Sequence, residues 1–327
     1  MKVLVYGAGV LGCELASVLC RGKAHVTLLA RGAWKKTLDQ NGLLVRHVLQ
    51  FQTTCDQVLT IDHLEPHWIF DLIFVVLPAN CLPEVLPELA ANLSHHIVFI
   101  GNNAAPVKTE QELLARTTVK KEIAFGFLSA VGHRDGTRII CLHKGVTLTI
   151  GSIGVPLSDS FQKMLHKAAG CTDLRYLPES QMAAWLKCRL VLLLPLCFSI
   201  YAQKGHMKKI TSHQQALCLD AALESCLLLR ALGVPINACG DEANFYPGPT
   251  RSRFQKLLWL LVHTRLGPLC IGNRAMQSVD EIRCLDQFFK DAQHRLQFQM
   301  PAWEELRKEA CHFLVPAHRH HHSCVSL

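Results

Sequence analysis

A chain of 327 residues with half its positions hydrophobic and a formal net charge of +8 can bury a large core and, at roughly 100 to 200 residues per domain, predicts two domains. Its lysines and arginines are dispersed, with no basic stripe interleaved with aromatics, which argues against nucleic acid as a partner and is met equally by a phosphate-bearing small ligand. The 15 cysteines lack a CxxC or any paired zinc-ligand spacing in a chain too large to need disulfide staples, so reduced core thiols and no metal site are expected.

In chain order, residues 1 to about 128 alternate short apolar runs with helical patterns: KVLVY, a helix over 10–22, HVTLLA, then DLIFVVL, a helix over 82–93, and HIVFI. That alternation predicts a parallel sheet covered by helices. The opening MKVLVYG already reads as the first strand, not as the charged start of a signal peptide. Residues 43–61 read as two or three shorter strands, and TRIICL with VTLTIG as a two-stranded excursion after the turn signal HRDG at 133–136. One more helix and the short CTDLRYLP follow GSIGVP at 151–156. From 179 the pattern becomes helical, over 179–203, 212–232, 252–264, 275–297 and 301–314, with turns at LGVP (232–235) and YPGP (246–249). The longest apolar stretch, LVLLLPLCFSI, is shorter than the roughly 20 residues that span a bilayer and holds a proline. No membrane helix is expected, and the cytosol is the expected location.

The stretch VYGAGVLGCELASVL (5–19) joins the first strand to the first helix. Gly7 permits the tight turn out of the strand, Gly9 lets the backbone approach a pyrophosphate, and Gly12 allows the helix to pack closely on the sheet. Gly7, Ala8, Gly9, Val10, Leu11 and Gly12 therefore form the expected cofactor-binding loop, and the helix that starts there offers free N–H groups to an anion. Glycines at this spacing also occur for purely local backbone reasons. Here a strand before, a helix after and a second strand at the right distance supply the context of a dinucleotide site.

The fold class expected is thus α/β: an N-terminal Rossmann-type parallel-sheet domain over 1–177, an all-helical C-terminal substrate and dimerisation domain over 178–315, and a disordered tail over 316–327. A homodimer is the candidate assembly. An NAD site would place an acidic residue at the end of the second strand, where this chain has Ala30 and Arg31. No carboxylate there would repel a 2′-phosphate, Arg31 can stack on adenine or pair with that phosphate, and Lys35 and Lys36 lie within reach. NADPH is the expected cofactor; the plainer alternative is a solvated basic turn.

With MKVLVYGAGVLG, LLARG, FIGNN, the DG hairpin, AAWLKCRL and SVDEI in that order, the chain resembles the ketopantoate reductase family of NADPH-dependent reductases from Met1 to about residue 308. The resemblance implies an active site in the cleft between the two domains. It makes Lys187 the catalytic proton donor to the substrate carbonyl, Glu281 the carboxylate that binds substrate and orients that lysine, and Asn102 a contact of both nicotinamide and substrate. It also marks departures. Pro78 stands where the family often has a lysine, Val191 and Pro195 where asparagines are expected, and Gly267, Pro268 and Leu269 where a serine is expected. Those missing groups bind the polar ends of ketopantoate.

Carbonyl reduction needs a hydride and a proton for the developing alkoxide, and an ammonium in the apolar helix MAAWLKCRLVLLLPL suits the second need. Desolvation would lower its pKa, and a nearby carboxylate would oppose that shift. The plain alternatives are a lysine that snorkels to solvent, a surface carboxylate at Glu281 sharing a helix face with Ser278, and a loop asparagine at 102 bonded to its own backbone. Asn273 and Arg274 precede Glu281 in IGNRAMQSVDEI and are candidates to replace the lost contacts to a substrate carboxylate. Asn102, Asn273, Ser278 and Glu281 make up the expected substrate-binding set.

Two functions remain in view. One is an NADPH-dependent reductase of a 2-oxo acid or related small carbonyl compound, serving pantothenate and coenzyme A synthesis if ketopantoate is the substrate. The other is an NADPH-binding sensor with little turnover. The tail HRHHHSCVSL reads as an irregular terminal run, not a metal site, and its final CVSL formally fits a prenylation signal for which a cytosolic reductase has no need.

Overall fold

The computed structural model describes residues 1–142, 145–170, 173–236, 242–264 and 267–314; the histidine-rich tail and CVSL lie outside them. Among the described residues, packing divides the chain into two compact units, Met1–Gly101 with Pro106–Met182, and Asn102–Ala105 with residues 183–314.

The first unit runs β1 (Lys2–Tyr6), α1 (Val10–Arg21), β2 (His25–Leu29), α2 (Gly32–Asn41), β3 (Leu43–His47), β4 (Gln52–Asp56), β5 (Leu59–Ile61), β6 (Leu72–Val75), α3 (Leu82–Ala91) and β7 (His96–Ile100). It continues with α4 (Pro106–Leu114), β8 (Glu122–Ser129), β9 (Gly132–Asp135), β10 (Arg138–Cys141), β11 (Thr147–Gly151), α5 (Asp159–Ala169) and β12 (Asp173–Tyr176). The main sheet has the order β12-β11-β8-β7-β6-β1-β2-β5 and is parallel except where β11 meets β8. Its central strands are covered on both faces, as in β6, where every residue of LIFV is buried. That is why they read as continuous apolar runs and do not alternate. Because β1 pairs with β2 on one side and β6 on the other, the winding of the chain reverses there. The crevice beyond the carboxyl ends of β1 and β6 is where open α/β sheets bind ligands.

A second sheet, β4-β3-β10-β9, lies against the other side of α1. The helix is therefore covered by both sheets, and Gly12 through Leu19 are all buried. Glu14 is caught in this layer at 2 % exposure, and desolvation pushes its carboxyl up to about 7 against the opposing influence of Cys141 and Arg21. One expectation is corrected here. TRIICL and VTLTIG do not pair with each other: β10 pairs with β9 across the HRDG turn, where Gly136 takes φ +57°, while β11 runs antiparallel to β8 in the main sheet. Both runs are short, apolar and buried, so periodicity cannot assign either one to a sheet.

The helical elements that follow are α6 (Glu179–Cys188), α7 (Leu190–Ala202), α8 (Ser212–Ala231), α9 (Pro249–His263), α10 (Asn273–Gln277), α11 (Val279–Leu296), α12 (Pro301–Glu309) and α13 (Cys311–Leu314). The boundary between the units falls inside α6. In the second unit α7 and α8 pack along each other with α12 against both. Trp303 of α12 stacks on Phe289 of α11 at 5.0 Å between centroids and meets Phe198 of α7 edge-on at 5.2 Å, contacts worth roughly 0.5 to 1.5 kcal/mol each beyond their buried area. Beside them the buried Asp286 is paired with Arg307 at 2.8 Å.

The helical pattern read over 179–203 is met by Glu179–Ala202, a nearly continuous helical run that is long and apolar enough by length and composition to cross a membrane and has 72 % of its apolar window buried in the protein. Pro195 sits inside α7 without ending it, and the Ser199 hydroxyl donates to the Pro195 carbonyl at 3.0 Å. The helix expected over 275–297 is two helices, because Ser278 leaves helical geometry at φ −112°, ψ 30°. Ser278 is thus the junction before α11 and does not share a helix face with Glu281. Every described cysteine is a free thiol.

Candidate active site

The glycine turn of the first unit has the geometry a dinucleotide requires. Gly7 takes φ +117°, and a Cβ there would lie 2.4 Å from the Val76 carbonyl oxygen. A Cβ on Gly12 would lie 1.8 Å from the oxygen of Gly7, so α1 can sit this close to the turn only with glycine at both places. Gly9 differs: a Cβ built on it meets nothing within 4 Å. It occupies the cap position of α1, in extended geometry, with no side-chain cap and no acidic residue in the first turn. The first amides of the helix, at Val10, Leu11 and Gly12, have no carbonyl partner within it, and with the macrodipole they favour an anion. The residues present therefore fit a pyrophosphate at Gly9.

A pocket opens at the carboxyl ends of β1, β2 and β6, with Tyr6, Gly7, Ala8, Arg31, Pro78 and Glu84 among its lining residues. Arg31 follows Ala30 at the end of β2; its Nε donates to the Asp62 carbonyl at 3.2 Å and its Nη2 to the Tyr6 hydroxyl at 3.4 Å. Of the other expected cations, Lys36 is exposed and Lys35 is less available. Lys35 is held by Asp39 at 2.8 Å one turn along α2, and Thr60 donates to the same carboxylate, whose pKa these bonds lower. Glu84 also brings a carboxylate to the pocket wall, on α3 and not at the end of β2, where its absence was expected to matter. Pro78, where the resemblance expects a lysine, lines the pocket as well.

In the second unit, Asn102 and Glu281 are brought together from 179 residues apart: Asn102 Nδ2 donates to Glu281 Oε1 at 3.3 Å, and the two residues are 7 % and 6 % exposed. The carboxylate lies in the first turn of α11. Its field reaches two groups of α7. Burial pushes the Cys197 thiol up to about 12 and raises the Tyr201 phenol, and Glu281 adds to both shifts. The Tyr201 hydroxyl donates to the Ala275 carbonyl at 2.8 Å. Lys187 stands in the last turn of α6, half-buried, and desolvation holds its ammonium below the usual lysine range. Among the described residues its Nζ has no hydrogen bond or ion pair, so the structure does not join it to Glu281. Asn273 is exposed, Arg274 and Ser278 are half-buried, and Val191 and Pro195 are buried in α7.

Three residues here escaped the reading of the sequence: Tyr6, Glu84 and Tyr201. Tyr6 carried a signal, as a hydroxyl on the last residue of a buried strand directly before the glycine turn. Tyr201 carried another, as a hydroxyl on a helix that is apolar apart from Ser199. Among the described residues no group of three or more His, Cys, Asp or Glu is arranged to hold a metal ion.

Residues 3–154 match the family model described as ketopantoate reductase PanE/ApbA. No curated protein matches the chain by sequence. Among solved structures, the chain is similar to 2-dehydropantoate 2-reductase from Geobacter metallireducens GS-15, with 16 % identity over 95 % of this chain and 99 % of that one and a TM-score of 0.70. It is similar to D-mandelate dehydrogenase in its ternary structure with NADH and anilino(oxo)acetate, with 12 % identity over 96 % and 98 % and a TM-score of 0.66. A third is the dimeric ketopantoate reductase from Staphylococcus aureus, with 13 % identity over 96 % and 99 % and a TM-score of 0.63. Residues 3–154 of this chain therefore form a domain of the ketopantoate reductase family, and nearly the whole chain has the fold of that family's solved members.

Proposed function

We propose that the protein is an NADPH-dependent reductase of a 2-oxo acid or a related carbonyl compound. The observation that carries this reading is the glycine turn at the reversal point of the sheet, open over Gly9 and followed at the end of β2 by Arg31. A bound nicotinamide cofactor supplies the hydride. The first amides of α1 hold its pyrophosphate, and Arg31 binds its 2′-phosphate. Lys187 gives a proton from Nζ to the substrate oxygen as that oxygen gains charge. Asn102 and Glu281 hold the substrate through hydrogen bonds, with Asn273 and Ser278 as further contacts from the same part of the chain. The 2-oxo acid class is supported by the D-mandelate dehydrogenase whose structure carries anilino(oxo)acetate. The domain match makes 2-dehydropantoate, and with it pantothenate synthesis, the first candidate. A cytosolic homodimer completes the reading, the dimer supported by the Staphylococcus aureus relative.

The test follows NADPH absorbance in the presence of a panel of 2-oxo acids that includes 2-dehydropantoate; consumption with at least one of them is expected. A second reading, a protein that binds NADPH and hardly turns over, is favoured by the buried, apolar Val191 and Pro195 at positions where the resemblance expects asparagines. Tight binding without consumption across the panel would select it. The cofactor preference is tested separately. Arg31→Ala is expected to raise the Kd for NADPH about tenfold or more and that for NADH less than twofold, since only NADPH carries the dianionic group that a guanidinium binds with two parallel bonds. Equal losses for the two nucleotides would remove the 2′-phosphate contact.

A further inference from the structure

Arg31 does not stand alone at the end of β2. Tyr6, the last residue of β1, is 2 % exposed, yet its hydroxyl reaches the Arg31 guanidinium at 3.4 Å and donates to the Glu88 carboxylate of α3. The other oxygen of Glu88 accepts the Leu64 amide at 2.6 Å. The direction of this chain is fixed by chemistry. An ionised carboxylate only accepts and a guanidinium only donates, so the single phenol proton must face Glu88 and the phenol's lone pairs must face Arg31.

Two consequences bear on ligand binding. With Nε held by the Asp62 carbonyl and Nη2 by Tyr6, the plane of the guanidinium is set, while Nη1 has no hydrogen bond among the described residues. The phenol also stands between Arg31 and Glu88, which form no ion pair. A neutral acceptor thus orients the cation where a carboxylate in direct contact would neutralise it. An arginine held in this way keeps its charge and its remaining donors for a doubly charged anion, and loses less rotamer freedom when it binds one.

We infer that Tyr6, oriented by Glu88, is a specificity-determining positioning residue: it holds Arg31 in the geometry that selects NADPH over NADH. The inference rests on the proposed role of Arg31 at the 2′-phosphate and is tested so that the two can fail separately. Isothermal titration of the full chain with NADPH and with NADH gives the ratio of their dissociation constants. Tyr6→Phe keeps the ring and removes the hydroxyl; it is expected to weaken NADPH about fivefold while NADH changes less than twofold. In an Arg31→Ala background Tyr6→Phe is expected to add nothing, because its effect passes through the guanidinium.

Equal weakening of both nucleotides by Tyr6→Phe, no weakening of either, or a full additional loss in the double variant would overturn the inference. If Arg31→Ala lowers the selectivity and Tyr6→Phe does not, only the positioning role fails; if Arg31→Ala leaves the selectivity intact, the 2′-phosphate reading fails with it. Glu88→Gln covers the case in which Tyr6→Phe does not fold. A carboxamide that meets the Leu64 amide with its oxygen turns its NH2 to the phenol, the phenol proton swings towards Arg31, and the preference for NADPH is expected to fall. An unchanged or increased preference in that variant also overturns the inference.

Discussion

Lys187→Met is expected to lower kcat for 2-oxo acid reduction by a factor of about 10² to 10⁴, the usual contribution of a positioned acid, while the Kd for NADPH stays within twofold of wild type. The variant should melt at or above the wild-type temperature. Both expectations have one cause. The ammonium is half-buried, and no carboxylate among the described residues pairs with it, so the folded protein bears a desolvation cost that a neutral side chain of similar length does not. Burial lowers the folded-state pKa below that of the unfolded chain. Between those two values the unfolded state binds more protons, so this residue's contribution to stability rises with pH across that window. In Lys187→Met that increment disappears. Turnover has the opposite slope. The donor must carry its proton, so kcat falls as pH rises through the lysine's pKa, and that alkaline limb sits below the range of an ordinary lysine. A steady-state assay across pH, a binding titration and a thermal melt check the three parts. Turnover that survives the substitution would make Lys187 a snorkelling lysine.

What the sequence revealed and what it hid divide along the range of the interaction involved. The glycine turn was legible because its demands are local: φ +117° at Gly7, and at Gly12 a backbone so close to Gly7 that a Cβ would lie 1.8 Å from the Gly7 oxygen, are requirements on neighbours along the chain. The helices of the second unit were legible from periodicity. Their ends were less so, since the break at Ser278 is one residue of non-helical geometry inside an otherwise helical pattern. The pairing of β10 with β3 and β9, and of β11 with β8, was not legible. Strand partners are chosen by tertiary packing, and an apolar run carries no address. The same holds at the candidate sites. The resemblance named Asn102 and Glu281 as two substrate contacts, and the fold adds that they bond to each other. It suggested that Glu281 orients Lys187, and the structure does not join them. Lys35 and Lys36 read as cations within reach of the 2′-phosphate, and the structure adds that Lys35 is paired with Asp39, four residues on. The Tyr6–Glu88 link needed coordinates, because it joins β1 to α3 across 82 residues.

The sharpest test of the cofactor site compares two alanines three residues apart. Gly9→Ala is expected to leave stability within about 0.5 kcal/mol of wild type and to weaken both NADPH and NADH about 100-fold. Its backbone, φ −68° with ψ −178°, is open to alanine, and the new methyl group meets no protein atom within 4 Å. If anything, loss of glycine freedom in the unfolded chain favours the folded state slightly. The methyl does enter the space through which a pyrophosphate must approach the first amides of α1. Gly12→Ala should do damage of another kind. Its Cβ would overlap the Gly7 oxygen at 1.8 Å, and the turn has little room to yield, because even a Cβ built on Gly7 would lie 2.4 Å from the Val76 carbonyl oxygen. Helix and turn must separate, with a loss of about 1 to 3 kcal/mol or more, so thermal stability and nucleotide binding fall together. Calorimetric melting and nucleotide titration of both variants resolve the pattern. A Gly9→Ala protein that binds both nucleotides as wild type does would mean that the open space over Gly9 holds no phosphate, and the proposed reductase would lose its cofactor site.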